Sequence, residues 1–158
     1  MDLTLVFKAL HILSMFAMVT VFLGGELFYS VPVWRRDVAG LAWVHHVEAR
    51  TRLGPVGVAF LVMGVAFGLL AAATGGFDFF SGWLIATYAL IAAFLINVAL
   101  VGLRLVRLAD KAVEAEAGHR PTEEVVREMA ASPAVAFFFP VNIVIFAAII
   151  LDMVLKPF

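Results

Sequence analysis

Four long apolar runs dominate the chain, and polar stretches of very different length separate them. A helix needs about 20 apolar residues to cross a bilayer, and each run is of that order. The first covers residues 3–30, interrupted by Lys8, His11 and Glu26, and Pro32 is expected to stop it. The second, 55–74, opens on Pro55, a favourable first-turn residue, and closes on Gly75 and Gly76. The third spans 83–103. The fourth, 134–155, follows Ser132 and Pro133, with a bend expected at Pro140. The pattern predicts an all-α integral membrane four-helix bundle, a single domain over 1–158.

The linkers differ in kind. Residues 31–54 carry Arg35, Arg36, Arg50 and Arg52 with Asp37 and Glu48. Trp34 and Trp43 suit a headgroup level, so a short interfacial helix is expected around residues 39–52. Residues 75–82 form a short turn. Residues 104–133 are the most polar segment; an extension of the third helix is expected to end at Gly118, with another short helix after Pro121. The two long linkers hold four and five of the 11 Lys and Arg, and the opposite side only Lys8 and Lys156. Positive residues concentrate in the cytoplasm, so both linkers are expected there, with both termini on the non-cytoplasmic side of a bacterial-type inner membrane.

Composition strengthens the membrane reading. The chain has 158 residues, 64% hydrophobic and 15% charged, with a mean hydropathy of +1.05. Soluble domains run nearer about 45–50% apolar and about 25% charged. The net charge of -1 offers no basic excess for nucleic acid. No cysteine is present, which removes disulfides, thiolate metal sites and cysteine nucleophiles together. The first apolar run is too long for a signal peptide and lacks a small-residue cleavage site, so it reads as a span. Phosphate loops, nucleophile elbows and dinucleotide fingerprints are absent.

Polar groups inside a membrane are the candidates for function. His11 shares a depth with Thr87, Tyr88 and Asp152, with Lys8 just above. Glu26, Asn97, Asn142 and Arg104 form a second group nearer the linkers. His11, Met15, Met18, Phe22 and Glu26 recur at helical spacing on one face. His11 is a candidate axial ligand of haem iron, with Met15, Met18, Tyr88 or Met153 nearby; the alternative is a hydrogen-bonded core histidine paired with Asp152 or Tyr88. His45 and His46 lie roughly 25 Å from His11, too far to clamp the same haem. They offer only a weak metal site, because adjacent helical residues diverge by about 100°. Glu26 is expected to pair with Arg104, Arg35, Arg36 or Arg52, or else to handle protons. Asn97 and Asn142 are expected to hydrogen-bond between helices. A stripe through Gly57, Gly64, Gly68 and Gly75 suits a close helix contact inside the bundle, a homodimer face, or a niche for a flat cofactor.

Phe7-Lys8-Ala9-Leu10-His11-Ile12, Gly24-Gly25-Glu26-Leu27-Phe28-Tyr29, Gly82-Trp83-Leu84 and the closing Val154-Leu155-Lys156-Pro157-Phe158 resemble the HemJ-type and CopD-like membrane proteins. The chain also resembles a family of predicted four-span integral membrane proteins with the same opening Lys-x-x-His and closing Lys-Pro. The HemJ resemblance implies b-type haem bound through His11. It does not carry protoporphyrinogen oxidation, because Ala86-Thr87-Tyr88 stands where that group has a Lys and no second membrane histidine lies near Asn97. No clustered His and Met set supports a copper site. The expected function is a small haem-binding, redox-linked membrane protein, alone or as a subunit of a respiratory complex. The alternatives are a non-enzymatic accessory subunit of a larger membrane complex and a proton- or metal-linked transporter using Glu26, Asn97 and Asn142.

Overall fold

The computed structural model describes residues 2–155. Helices run in the order α1 (Leu3–Arg35), α2 (Val38–Thr51), α3 (Leu53–Thr74), α4 (Gly82–Asn97), a π-helical turn (Val98–Gly102), α5 (Leu103–Glu116), α6 (Thr122–Ala131), α7 (Pro133–Ala136) and α8 (Phe138–Leu155). No strand occurs among the described residues. Four helices are long and apolar enough to cross a membrane: Leu3–Arg35, Leu53–Thr74, the continuous Gly82–Glu116, and Phe138–Leu155. α3 packs along α1, and α4 along α8, while α1 and α8 also touch. α3 thus packs chiefly on α1, while α1, α4 and α8 meet around Met18, Phe94 and Phe146.

The first helix outruns its expected end. Pro32 removes one backbone donor, yet α1 continues to Arg35, and both Pro32 and Val33 are buried. The stop comes one turn later. Arg36 turns left-handed at φ 55, and the Asp37 amide reaches back to the Pro32 carbonyl at 2.9 Å. The Asp37 side chain then accepts from the Gly40 amide at 2.9 Å and starts α2. A second left-handed residue, Arg52 at φ 54, turns α2 directly into α3.

The fourth span breaks before Pro140. The chain leaves helical register at Phe137, and Pro140 lies in the first turn of α8. Pro140 has no amide hydrogen for the Ala136 carbonyl one turn back. The Trp34 indole supplies it instead, donating from Nε1 to Ala136 O at 2.7 Å.

Two cores hold the molecule. On the linker side Val38, Leu41, Leu105, Leu108, Ala109, Ala112, Val125 and Met129 pack together. In the membrane-spanning part Met18, Phe94, Phe146 and Ile149 form a smaller cluster. Much of the remaining apolar surface of the spans faces outward, as lipid-exposed helices require.

Candidate functional site

The glycine stripe of α3 is consumed inside the chain. A Cβ built at Gly64 would lie 3.1 Å from the Met15 Cγ, one at Gly68 2.8 Å from His11 Nδ1, and one at Gly57 3.2 Å from the Phe22 ring. The absent side chains let α1 and α3 close on each other, with Met15 and His11 filling the space. His11 Nδ1 meets the Gly64 carbonyl at 2.7 Å. A carbonyl only accepts, so Nδ1 carries the hydrogen and Nε2 keeps its lone pair in the neutral ring.

The remaining polar residues at that depth do not converge on His11. Thr87 donates to Asp152 at 2.6 Å. Tyr88 is exposed, and Met153 packs beside the cluster that buries Met18. Lys8 lies over the Phe77 ring, 5.5 Å from its centroid. The expected pairing of His11 with Asp152 or Tyr88 gives way to the backbone carbonyl, because the glycines bring α3 closer than either side chain.

Nearer the linkers, three of the four expected polar residues do assemble. Asn97 donates to Asn142 at 2.8 Å, and Asn142 donates to Glu26 Oε1 at 2.7 Å. One side chain each from α4, α8 and α1 thus makes a chain across the bundle. Arg104 is not part of it. It is exposed on α5, and Arg35, Arg36 and Arg52 are exposed as well, so the expected Glu26–Arg pair is replaced by an amide partner. Glu26 is only 6% exposed, and its Oε2 is buried without a hydrogen-bond partner. The Ser30 hydroxyl, one turn further along α1, is buried and unbonded too. The π-helical turn begins directly after Asn97. Such turns re-aim side chains and often mark functional positions.

Glu26 stands on the wall of an apolar cleft of about 390 Å³. Phe22, Gly25 and Tyr29 of α1, Gly54 and Val58 at the start of α3, and Gly102 and Leu103 where the π-helical turn meets α5 face it. Trp43 and Glu48 of α2 cover its linker end. A Cβ at Gly25 would meet nothing within 4 Å, so this glycine opens the wall rather than sealing a contact.

A second polar cluster borders the same cleft. The Tyr29 hydroxyl donates to Glu48 Oε2 and bonds His45 Nδ1 at 3.0 Å. His45 Nε2 meets Asp110 Oδ1 at 3.0 Å. His45 is thereby held between α1 and α5, whereas His46 is exposed, so the two histidines share no ligand position. Among the described residues no three His, Asp or Glu side chains group as a metal centre. Sequence reasoning had not singled out Tyr29, Glu48 and Asp110 as partners. The spacing Glu26-x-x-Tyr29 and His45-x-x-Glu48 carried a signal, since residues three apart share a helical face.

Neither the curated proteins nor the solved structures include a match to this chain. The family model described as a predicted integral membrane protein (DUF2269) matches residues 5–157, nearly the whole chain and all four candidate spans. The protein therefore belongs to the DUF2269 family of predicted integral membrane proteins.

Proposed function

We propose that this protein binds a lipid-soluble small molecule in the cleft between α1, the start of α3 and the π-helical turn, with Glu26 as the polar anchor. One observation carries the reading. Glu26, whose Oε2 is buried and unbonded, lines a cleft whose wall is apolar apart from this residue, Tyr29 and Glu48. Buried polar groups are normally satisfied, and a ligand contact accounts for an exception. Binding sites have this composition, mostly apolar with a few placed polar groups. Gly25 is the direct test. Gly25 lines the cleft, a Cβ there meets nothing within 4 Å, and Gly25→Leu favours the helix. The variant should fold and lose the lipid-soluble molecules that co-purify with the wild type, read by mass spectrometry of organic extracts. Equal ligand content in both proteins rejects the reading.

A second reading concerns His11. Its Nδ1 is held by the Gly64 carbonyl, which leaves Nε2 as the atom that would bind a haem iron axially. Within one chain the residues do not form a haem cradle, because Met15 and His11 fill the space over Gly64 and Gly68. A b-type haem on His11 would lie outside that seam, with no sixth ligand or with His11 of a second copy as the sixth. A Soret band lost in His11→Ala supports this; a colourless preparation from haem-replete cells removes it.

The nine basic residues of the two long linkers favour a cytoplasmic linker side, by the positive-inside rule. With no native cysteine, single cysteines placed at Asp78 and Ala117 report the orientation by labelling in intact cells. Asp78 should label from outside and Ala117 only after permeabilisation; the reverse pattern inverts the topology.

A further inference from the structure

The chemistry of the cleft narrows the ligand class, on the reading that the cleft binds a ligand at all. Among the described residues its wall carries two carboxylic acids, Glu26 and Glu48, and no Lys, Arg or His. Glu48 is engaged by the Tyr29 hydroxyl. Glu26 has one oxygen taken by Asn142 and the other unbonded. Around these acids stand the aromatic rings of Phe22, Phe28, Tyr29, Trp43 and Phe138.

We infer that the cleft takes a hydrophobic organic cation, whose charge meets Glu26 and whose apolar substituents lie among the aromatic rings. An anion is disfavoured, because two carboxyl groups would face it at low dielectric. A small inorganic cation needs several oxygen ligands arranged around it, and the wall is otherwise almost entirely apolar. An organic cation with bulky substituents has neither difficulty. It is weakly hydrated, enters from the lipid, and is attracted by ring faces as well as by the carboxylate. Among the described residues no basic side chain pairs with that carboxylate, and Arg35, Arg36, Arg52 and Arg104 are exposed. A proton does compete, because a protonated Glu26 holds no charge for the ligand. Glu48 and Tyr29 are the other titratable groups on the wall, with His45 and Asp110 bonded behind Tyr29; Asn142, which bonds Glu26 from α8, and Asn97, which bonds Asn142 from α4, do not titrate.

The test uses the full chain in lipid nanodiscs with two probes, tetraphenylphosphonium as the cation and Nile red as a neutral hydrophobe. Glu26→Gln keeps an acceptor for Asn142, removes the charge and puts an amide NH2 in place of the second oxygen. Tetraphenylphosphonium should bind the wild type and bind Glu26→Gln about 30-fold or more weakly, the usual scale for losing one partner of a desolvated charge pair. Binding should weaken as the pH falls, and that dependence should vanish in Glu26→Gln. Nile red should bind the wild type, and Gly25→Leu should exclude both probes. If tetraphenylphosphonium ignores Glu26→Gln, or keeps its pH dependence there, the cation inference is overturned while the cleft remains. If Gly25→Leu changes neither probe, the cleft reading itself fails.

Discussion

The linker-side layer and the membrane-spanning bundle are built on opposite rules, although α1 and the third long helix run through both. The linker layer packs like a small water-soluble core. α5 buries Leu105, Leu108, Ala109, Ala112 and Ala115 at helical spacing and turns its charges outward. Lys111 meets Glu128 at 2.5 Å, and Arg120 meets Glu114 at 3.0 Å on the outer surface. The spanning helices show almost no such sorting. α3 carries apolar residues all round, and only Gly57, Gly64, Ala71 and Ala72 are buried in it. The difference is the solvent. Water drives apolar side chains inward, whereas lipid is as apolar as they are. Contacts between spans must therefore come from close backbone approach and from hydrogen bonds, as at Gly64 and along Asn97–Asn142–Glu26.

The sharpest way to break the comparison is to truncate an apolar side chain in each of the two regions. Leu41 is fully buried in the linker core, and Leu41→Ala should cost about 2–5 kcal/mol, the usual range for a large core cavity. Val62→Ala, on the exposed face of α3, should change little. Thermal unfolding in detergent micelles reads both, and similar losses would dissolve the distinction.

Next in size is Gly64→Leu. A Cβ there already crowds Met15, and its backbone nitrogen lies 3.6 Å away, so α1 and α3 must separate. Overpacking of this kind should cost about 1–3 kcal/mol. Gly24→Ala, where a Cβ meets nothing within 4 Å, is the control. If both variants unfold at the wild-type temperature, the glycine seam does not hold the helices.

The smallest effect joins the two regions. Trp34→Phe keeps the ring and removes the donor to Ala136. Losing that hydrogen bond should cost about 1 kcal/mol. Hydrogen exchange should rise at α7 and the first turn of α8 and stay unchanged at α3. A uniform rise across all helices would mean the indole does not act locally on the proline break.

Much of this architecture was legible in the order of residues. Runs of apolar side chains long enough to span a bilayer need no partner to declare themselves, since length and composition alone decide whether a helix can cross. The second and third spans began within two residues of their expected starts. Asn97, Asn142 and Glu26 stood out for the same reason: an uncompensated polar group in lipid is costly wherever it points. The helix ends were less legible. Pro32 reads as a stop, but one missing amide hydrogen is affordable where neighbouring residues are buried, and the left-handed Arg36 ends the helix instead. Pro140 reads as a bend, but its effect appears at Phe137, where Trp34, 102 residues away in sequence, takes up the freed carbonyl.

By itself, then, the sequence determined the solvent, the number of spans and the list of polar side chains that must find partners. Those are properties of single segments, set by hydropathy and by the cost of burying a charge. Which partners they found was decided only by the tertiary structure. Glu26 met an asparagine rather than an arginine, His11 met a carbonyl rather than an acid, and His45 joined Tyr29 and Asp110. Each outcome depends on how closely two helices approach and at what rotation. In lipid that geometry rests on a few glycines and hydrogen bonds, which no periodic pattern along one helix records.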